Sequence, residues 1–266
     1  MFIIPERNLN KMVKGLTKAI KLEFTYLKER WLSTLIFILA SALVVILFFY
    51  VAKIPVGWGG LGEIGYTYYD LLAPMIFSLL ILFVTVQMTV LRIVGERAPY
   101  GTLDRELIAI SRTGMYFGKL IVHSIVAFLQ CLCIYLVGFI LFPVKSYALS
   151  PIPILILLFL LALFGLSLGL AVSIFSKHKE TAVQIAPYLI LGLFVTSLIL
   201  IFPGISISQN TKIFIINNPV ALISQSLNEI MLNGVGFEDI ILSILKIMVW
   251  IGGLIALSSL KFGLEK

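Results

Sequence analysis

The side chains of this chain that could do chemistry are few, and most of them gather in one stretch. Between Gly95 and Lys119 the sequence carries Glu96-Arg97, then Pro99, Gly101, Thr102, Leu103, Asp104, Arg105, Glu106 and Leu107, and then Arg112. Pro99 and Gly101 break the helix that precedes them, Thr102 can cap a new one, and Asp104 favours the positive end of that helix's dipole. Leu103, Leu107 and Ile110 then fall along one side, with charges on the other. A short amphipathic helix held in this way suits recognition, by docking into a groove of a soluble partner. The same pattern also reads as a solvated loop resting on lipid headgroups.

Catalysis finds no such grouping. His123 and His178 stand alone in the sequence and no two acids share an apolar block, so acid–base chemistry and proton relay both lack their usual residues. Cys131 and Cys133 lie two apart in an apolar run, where a helix points them to different sides, and they read as small hydrophobes rather than a disulfide or metal site. Gly57, Gly59 and Gly62 imitate a dinucleotide fingerprint but lack the strand and helix around it. No Walker-type phosphate loop occurs, so the chain is expected not to be an enzyme and to hold no cofactor or metal; ATP chemistry would come from another polypeptide.

The elements that must position the charged stretch are apolar. Hydrophobic residues make up 60% of the 266 and charged residues 12%, against about 45–50% and about 25% in soluble domains. The apolar residues fall into six blocks, 32–52, 71–94, 118–142, 152–175, 182–202 and 240–260, each near the roughly 20 residues that cross a bilayer. The expected fold is therefore an all-α polytopic membrane protein of six transmembrane helices. Residues 1–31 form a preceding element, 32–260 the membrane domain and 261–266 a tail. Within the domain, 95–117 is the charged loop and 204–239 a long outer segment. The first block is of spanning length and lacks a small-x-small cleavage pattern after it, so it is expected to remain in the mature protein. Pro187 inside the fifth block predicts a kink, and Gly165 with Gly169 a close helix contact.

Before the first block, Leu9, Met12, Val13, Leu16, Ile20, Phe24 and Leu27 recur at helical spacing, opposite Lys11, Lys14, Lys18 and Lys21. This pattern predicts a basic amphipathic helix, capped at Asn8, lying in the headgroup region against anionic lipid. Sixteen of the twenty Lys and Arg lie on one set of alternate loops; Lys53, Lys145 and Lys212 lie on the other, and Lys246 falls inside the last block. The excess marks the cytoplasmic side, places both termini there, and reads the net charge of +7 as topology rather than as a nucleic-acid site. The outer segment carries Asn218 as a cap and Pro219 in the first turn of a helix that reads equally as re-entrant or interfacial.

The run Glu96-Arg97, then Gly101-Thr102-Leu103-Asp104-Arg105, then Gly118-Lys119 resembles the loop of type-2 permeases of ATP-binding cassette transporters, the ABC-2 family. Asn218-Pro219 followed by Ala221, Leu222, Ile223, Ser226, Leu227 and Ile230 is similar to the family's Asn-Pro helix. The chain departs from the pattern at Ala98, where the family often has a charge, and at Asn228, where it often has an arginine. The resemblance implies that Glu96, Arg97 and Gly101 to Leu107 couple to a cassette ATPase subunit that binds ATP and Mg. It also implies a second permease copy, and an outer helix with Asn218, Pro219, Leu222 and Leu227 that closes a substrate exit. The expected activity is export of an amphipathic or hydrophobic substrate, a drug, lipid or lipid-linked glycan, across the cytoplasmic membrane. The alternative is a secondary transporter or another polytopic protein without ATP coupling, which would need intramembrane acids or broken helices in matched halves. An intramembrane protease is a further rival and lacks a clustered nucleophile, acid pair or metal-ligand set.

Overall fold

A helix that is apolar on every side belongs at the centre of a bundle, and the helix over Ile152–Phe175 carries no charged residue at all. The computed structural model describes residues 6–52, 68–97, 110–141, 151–176, 178–199 and 209–264. They form α1 (Glu6–Glu29), α2 (Trp31–Ala52), α3 (Tyr68–Arg97), α4 (Arg112–Leu141), α5 (Ile152–Phe175), α6 (Lys179–Ile199), α7 (Gln209–Ile216), α8 (Pro219–Asn233) and α9 (Phe237–Leu264). Five stretches among the described residues are long and apolar enough to cross a membrane: Ala73–Glu96, Arg112–Leu141, Ile152–Phe175, Glu180–Ser197 and Phe237–Phe262. The block expected at 32–52 is helical as α2 and turns Leu32, Leu35, Leu39, Leu43 and Leu47 outward.

Within those stretches, 72% of the α3 window and 78% of the α5 window is buried, whereas α6 and α9 bury 22% each, so α3 and α5 are the central pair. Their approach is set by glycine. A Cβ on Gly165 would meet Thr85 Cβ at 3.1 Å, and one on Gly169 would meet Thr89 Cβ at 2.7 Å. The Gly165/Gly169 step expected to allow a close contact is thus where α3 lies against α5. Gly138 of α4 gives Phe77 of α3 its room in the same way.

The large apolar core joins α3, α4, α5, α6, α8 and α9. A second cluster, Ile93, Ile110, Met115, Tyr116, Leu166, Ile174 and Phe262 among its members, gathers the end of α3, the start of α4 and the ends of α5 and α9. These helices therefore alternate in direction, with the 98–111 connection at one end of the bundle, hereafter the loop end.

Two expected boundaries move. The charged loop is expected over 95–117, but α3 runs on to Arg97 and α4 begins at Arg112, so Glu96 and Arg112 are helical. Charged residues lower the hydropathy of those turns, yet the helix continues because Glu96 is paired with Lys119 of the neighbouring α4. The N-terminal helix starts at Glu6, ahead of Asn8, which is therefore not its cap. Its Lys14, Lys18 and Lys21 are exposed. Its burial does not follow the apolar stripe. Phe24 is exposed, while Ala19 and Glu23 on the flank of that stripe are buried against the protein.

Candidate functional site

The site grows from small residues. Gly15 and Ala19 on α1 face Gly114 and Gly118 on α4 so closely that a Cβ on Gly118 would sit 2.6 Å from that of Ala19, and one on Gly114 would sit 3.2 Å from the Gly15 carbonyl carbon. Both pairs are four apart, so each lines one helix face. The matched order, 15 with 114 and 19 with 118, makes the two helices run side by side in the same direction. One turn further along the same face of α1 stands Glu23, which this packing delivers to Lys119 and His123.

Lys119 is the hub. Its ammonium donates to Glu23 Oε1 at 2.5 Å and to Glu96 Oε2 at 2.6 Å. Both Lys119 and Glu23 are only 2% exposed. A second rung lies one turn deeper. His123 Nε2 stands 3.5 Å from Glu23 Oε2, and Arg92 Nη1 lies 3.5 Å from His123 Nδ1. A guanidinium can only donate, so Nδ1 accepts and Nε2 carries the proton that faces Glu23. Three helices, α1, α3 and α4, therefore meet through five side chains inside the protein. Taking such groups out of water costs several kcal/mol per ion unless each is paired and hydrogen-bonded. The arrangement holds parts together; it presents no open nucleophile or substrate cleft.

Beyond His123, Thr85, Thr89 and Gln130 continue the polar strip and line a cavity of about 10 Å³ with Arg92 and His123. That is room for about one water molecule.

The second candidate element is α8. Asn218 caps it: its Oδ1 accepts from Val220 N at 2.9 Å, while its Nδ2 donates to the Leu193 carbonyl at 2.7 Å and to Thr196 Oγ1 at 2.6 Å on α6. A carboxamide offers an acceptor for the helix end and two N–H donors for a neighbour at once. Pro219 takes the first helical position, and Leu222 and Leu227 are buried in the core. Gly234 ends the helix at φ 63°, left-handed backbone that glycine adopts without strain, and α9 follows directly. Trp250 Nε1 donates to the Asn217 carbonyl at 2.9 Å. Trp250 lies about 20 Å along α9 from Phe237 at 1.5 Å per residue. The start of α8 thus sits beside the middle of α9, and α8 runs back along its first half.

Of the residues singled out in the sequence, the structure brings Glu96 into the Lys119 cluster, and Arg97 closes α3. Gly101, Thr102, Leu103, Asp104, Arg105, Glu106 and Leu107 lie outside the described residues. Sequence reasoning missed Glu23, Arg92, Lys119 and His123 as a group. It counted Arg92 and Lys119 as loop cations and treated His123 as isolated, whereas His123 faces Glu23 and Arg92. It looked for two acids within one apolar block, whereas Glu23 and Glu96 converge on one ammonium from two different helices.

A family model described as ABC-2 family transporter protein matches residues 61–260, most of the chain. The chain belongs to the ABC-2 transporter family. It is accordingly a membrane permease of the ATP-binding cassette type, crossing the bilayer several times, and the family implies partnership with an ATPase subunit. No curated protein matches the chain. In this ABC-2 permease the matched region begins after α2 and takes in the 98–111 connection, the Glu96–Lys119 contact and the Asn218 helix.

Proposed function

We propose that this chain is the transmembrane subunit of an ATP-driven exporter. Two permease copies come together, with α2 as a sixth span in each and both termini in the cytoplasm. A cassette ATPase subunit docks on the loop around Gly101 to Glu106; ATP and Mg bind there, in the partner, and this chain is no enzyme. The observation that carries the reading is the Glu96–Lys119 contact, which holds together the two helices flanking that loop. A docking element needs rigid roots if a push on it is to move the spans.

The substrate would be amphipathic or hydrophobic: a drug, a lipid or a lipid-linked glycan. Support comes from the interior, where most of the buried side chains among the described residues are aliphatic or aromatic. The start of α8 beside the middle of α9 supports a re-entrant helix that closes the exit. Reversing Asp104 and Glu106 to lysine tests the docking: membrane insertion should persist while copurification of the ATPase falls. Undiminished copurification would sink the coupling role.

A rival reading, a transporter driven by an ion gradient, draws on the buried Glu23–His123 contact. It predicts transport that survives loss of the ATPase and stops with a protonophore. The coupled exporter predicts the reverse.

A further inference from the structure

Lys119, Glu23 and Glu96 occupy a particular place in the topology. Glu96 stands in the last turn of α3 and Lys119 two turns into α4, so their contact closes the chain ring that contains the 98–111 connection. Glu23 brings a third helix into the same ammonium, and its other carboxylate oxygen reaches His123. Both rungs therefore span the same three helices, and Glu23 belongs to both. The glycine contacts at Gly114 and Gly118 bring the backbones into reach without fixing a register by themselves; a directional pair of ions does fix it.

The helix so held leads onward. Only Arg30 separates α1 from α2, and helical hydrogen bonds cross the joint, Arg30 N to Tyr26 O at 3.0 Å and Thr34 N to Arg30 O at 3.1 Å. A displacement of α1 is thus handed to α2, a helix that turns Leu32, Leu35, Leu39, Leu43 and Leu47 outward.

We propose that Lys119 and Glu23 are positioning residues that clamp α1 to both roots of the docking loop, so that α1 and α2 move with the loop as one body. This rests on the ATP-coupled reading for its purpose, though the clamp itself can be measured without it. Lys119 distributes its donors between two helices, and neither acid alone would tie all three together.

The test uses the permease with its ATPase in nanodiscs, with Cys131 and Cys133 replaced. One pair of spin labels goes at Lys18→Cys on α1 and Thr113→Cys on α4, both exposed positions. A second pair joins Thr113→Cys to Tyr188→Cys on α6, 76% exposed. The clamp predicts a single narrow 18–113 distance that stays fixed on trapping with ATP and vanadate while the 113–188 distance shifts. Lys119→Met should broaden the 18–113 distribution before any nucleotide is added, and make it shift on trapping. Lys119→Arg, which keeps the charge, should restore the narrow distance at least in part. Glu23→Gln provides the same measurement should Lys119→Met fail to insert.

An unchanged narrow distribution in both Lys119→Met and Glu23→Gln would overturn the clamp, and so would an 18–113 distance that shifts on trapping in the unmutated protein. If no pair responds to nucleotide in the unmutated protein, the ATP-coupled reading fails, and the nucleotide-free distributions still decide whether the clamp exists.

Discussion

Two polar sites among the described residues join helices inside the apolar bundle by opposite means. At the loop end, Lys119, Glu23, Glu96 and Arg92 use charge, with a neutral His123 between Arg92 and Glu23. Beside the middle of α9, Asn218 joins α8 to α6 with one neutral carboxamide, helped by Thr196 and Ser197, whose hydroxyls donate to the same Leu193 carbonyl. The difference follows desolvation. A full charge at the depth of the α8 start would cost far more than an amide, whereas the loop end lies close to where the chain's charged residues gather. Charge buys a steep penalty for misregister there; the amide gives a milder brace that a moving helix can leave and re-form.

That contrast can be broken most forcefully at Lys119. Lys119→Met leaves Glu23 and Glu96 buried beside each other without their cation and should cost about 3–5 kcal/mol, read as a lowered unfolding midpoint in detergent. A loss no larger than that of Asn218→Ala would erase the distinction between the two regions. Next in size, Gly118→Leu drives a side chain into Ala19 and should cost about 1–3 kcal/mol. Its specific signature is protease access to α1 with α8 and α9 still protected.

On the neutral side, Asn218→Ala removes both the cap and the link to Leu193, worth about 0.5–2 kcal/mol for the cap alone. Asn218→Asp would keep the cap and lose the donors, so it separates the two roles: equal stability of Asp and Asn variants would show that the α6 link contributes nothing. The smallest effect belongs to Trp250→Phe, which deletes one hydrogen bond to Asn217, about 0.5–1.5 kcal/mol. Hydrogen exchange should rise in α7 and the first turn of α8 and stay unchanged in α1.

The long helices were legible because their apolar runs end at physical stops. The block 152–175 coincides with α5, bounded by Pro151 before it and Ser176 after it. Asn218 and Pro219 were legible for the same reason, since a cap and a first-turn proline act within four residues of chain. The charge cluster was not. Glu23 and Lys119 are 96 positions apart, and each looked explained already, one as part of a surface helix and the other as a topology marker. Hydropathy counts a lysine the same whether water or a carboxylate receives it. The signal that was present is steric: Gly15, Ala19 and Glu23 keep a spacing of four, as do Gly114 and Gly118. Two small-residue faces imply a helix pair, and an acid continuing one of them points at whatever cation continues the other.

The Gly165 and Gly169 contacts carry a consequence for how such a bundle can work. With Thr85 and Thr89 pressed against bare backbone, α3 and α5 interlock at two successive turns and resist sliding past each other. They should turn together like a single shaft, so that relative movement within the bundle falls to helices less buried than this pair.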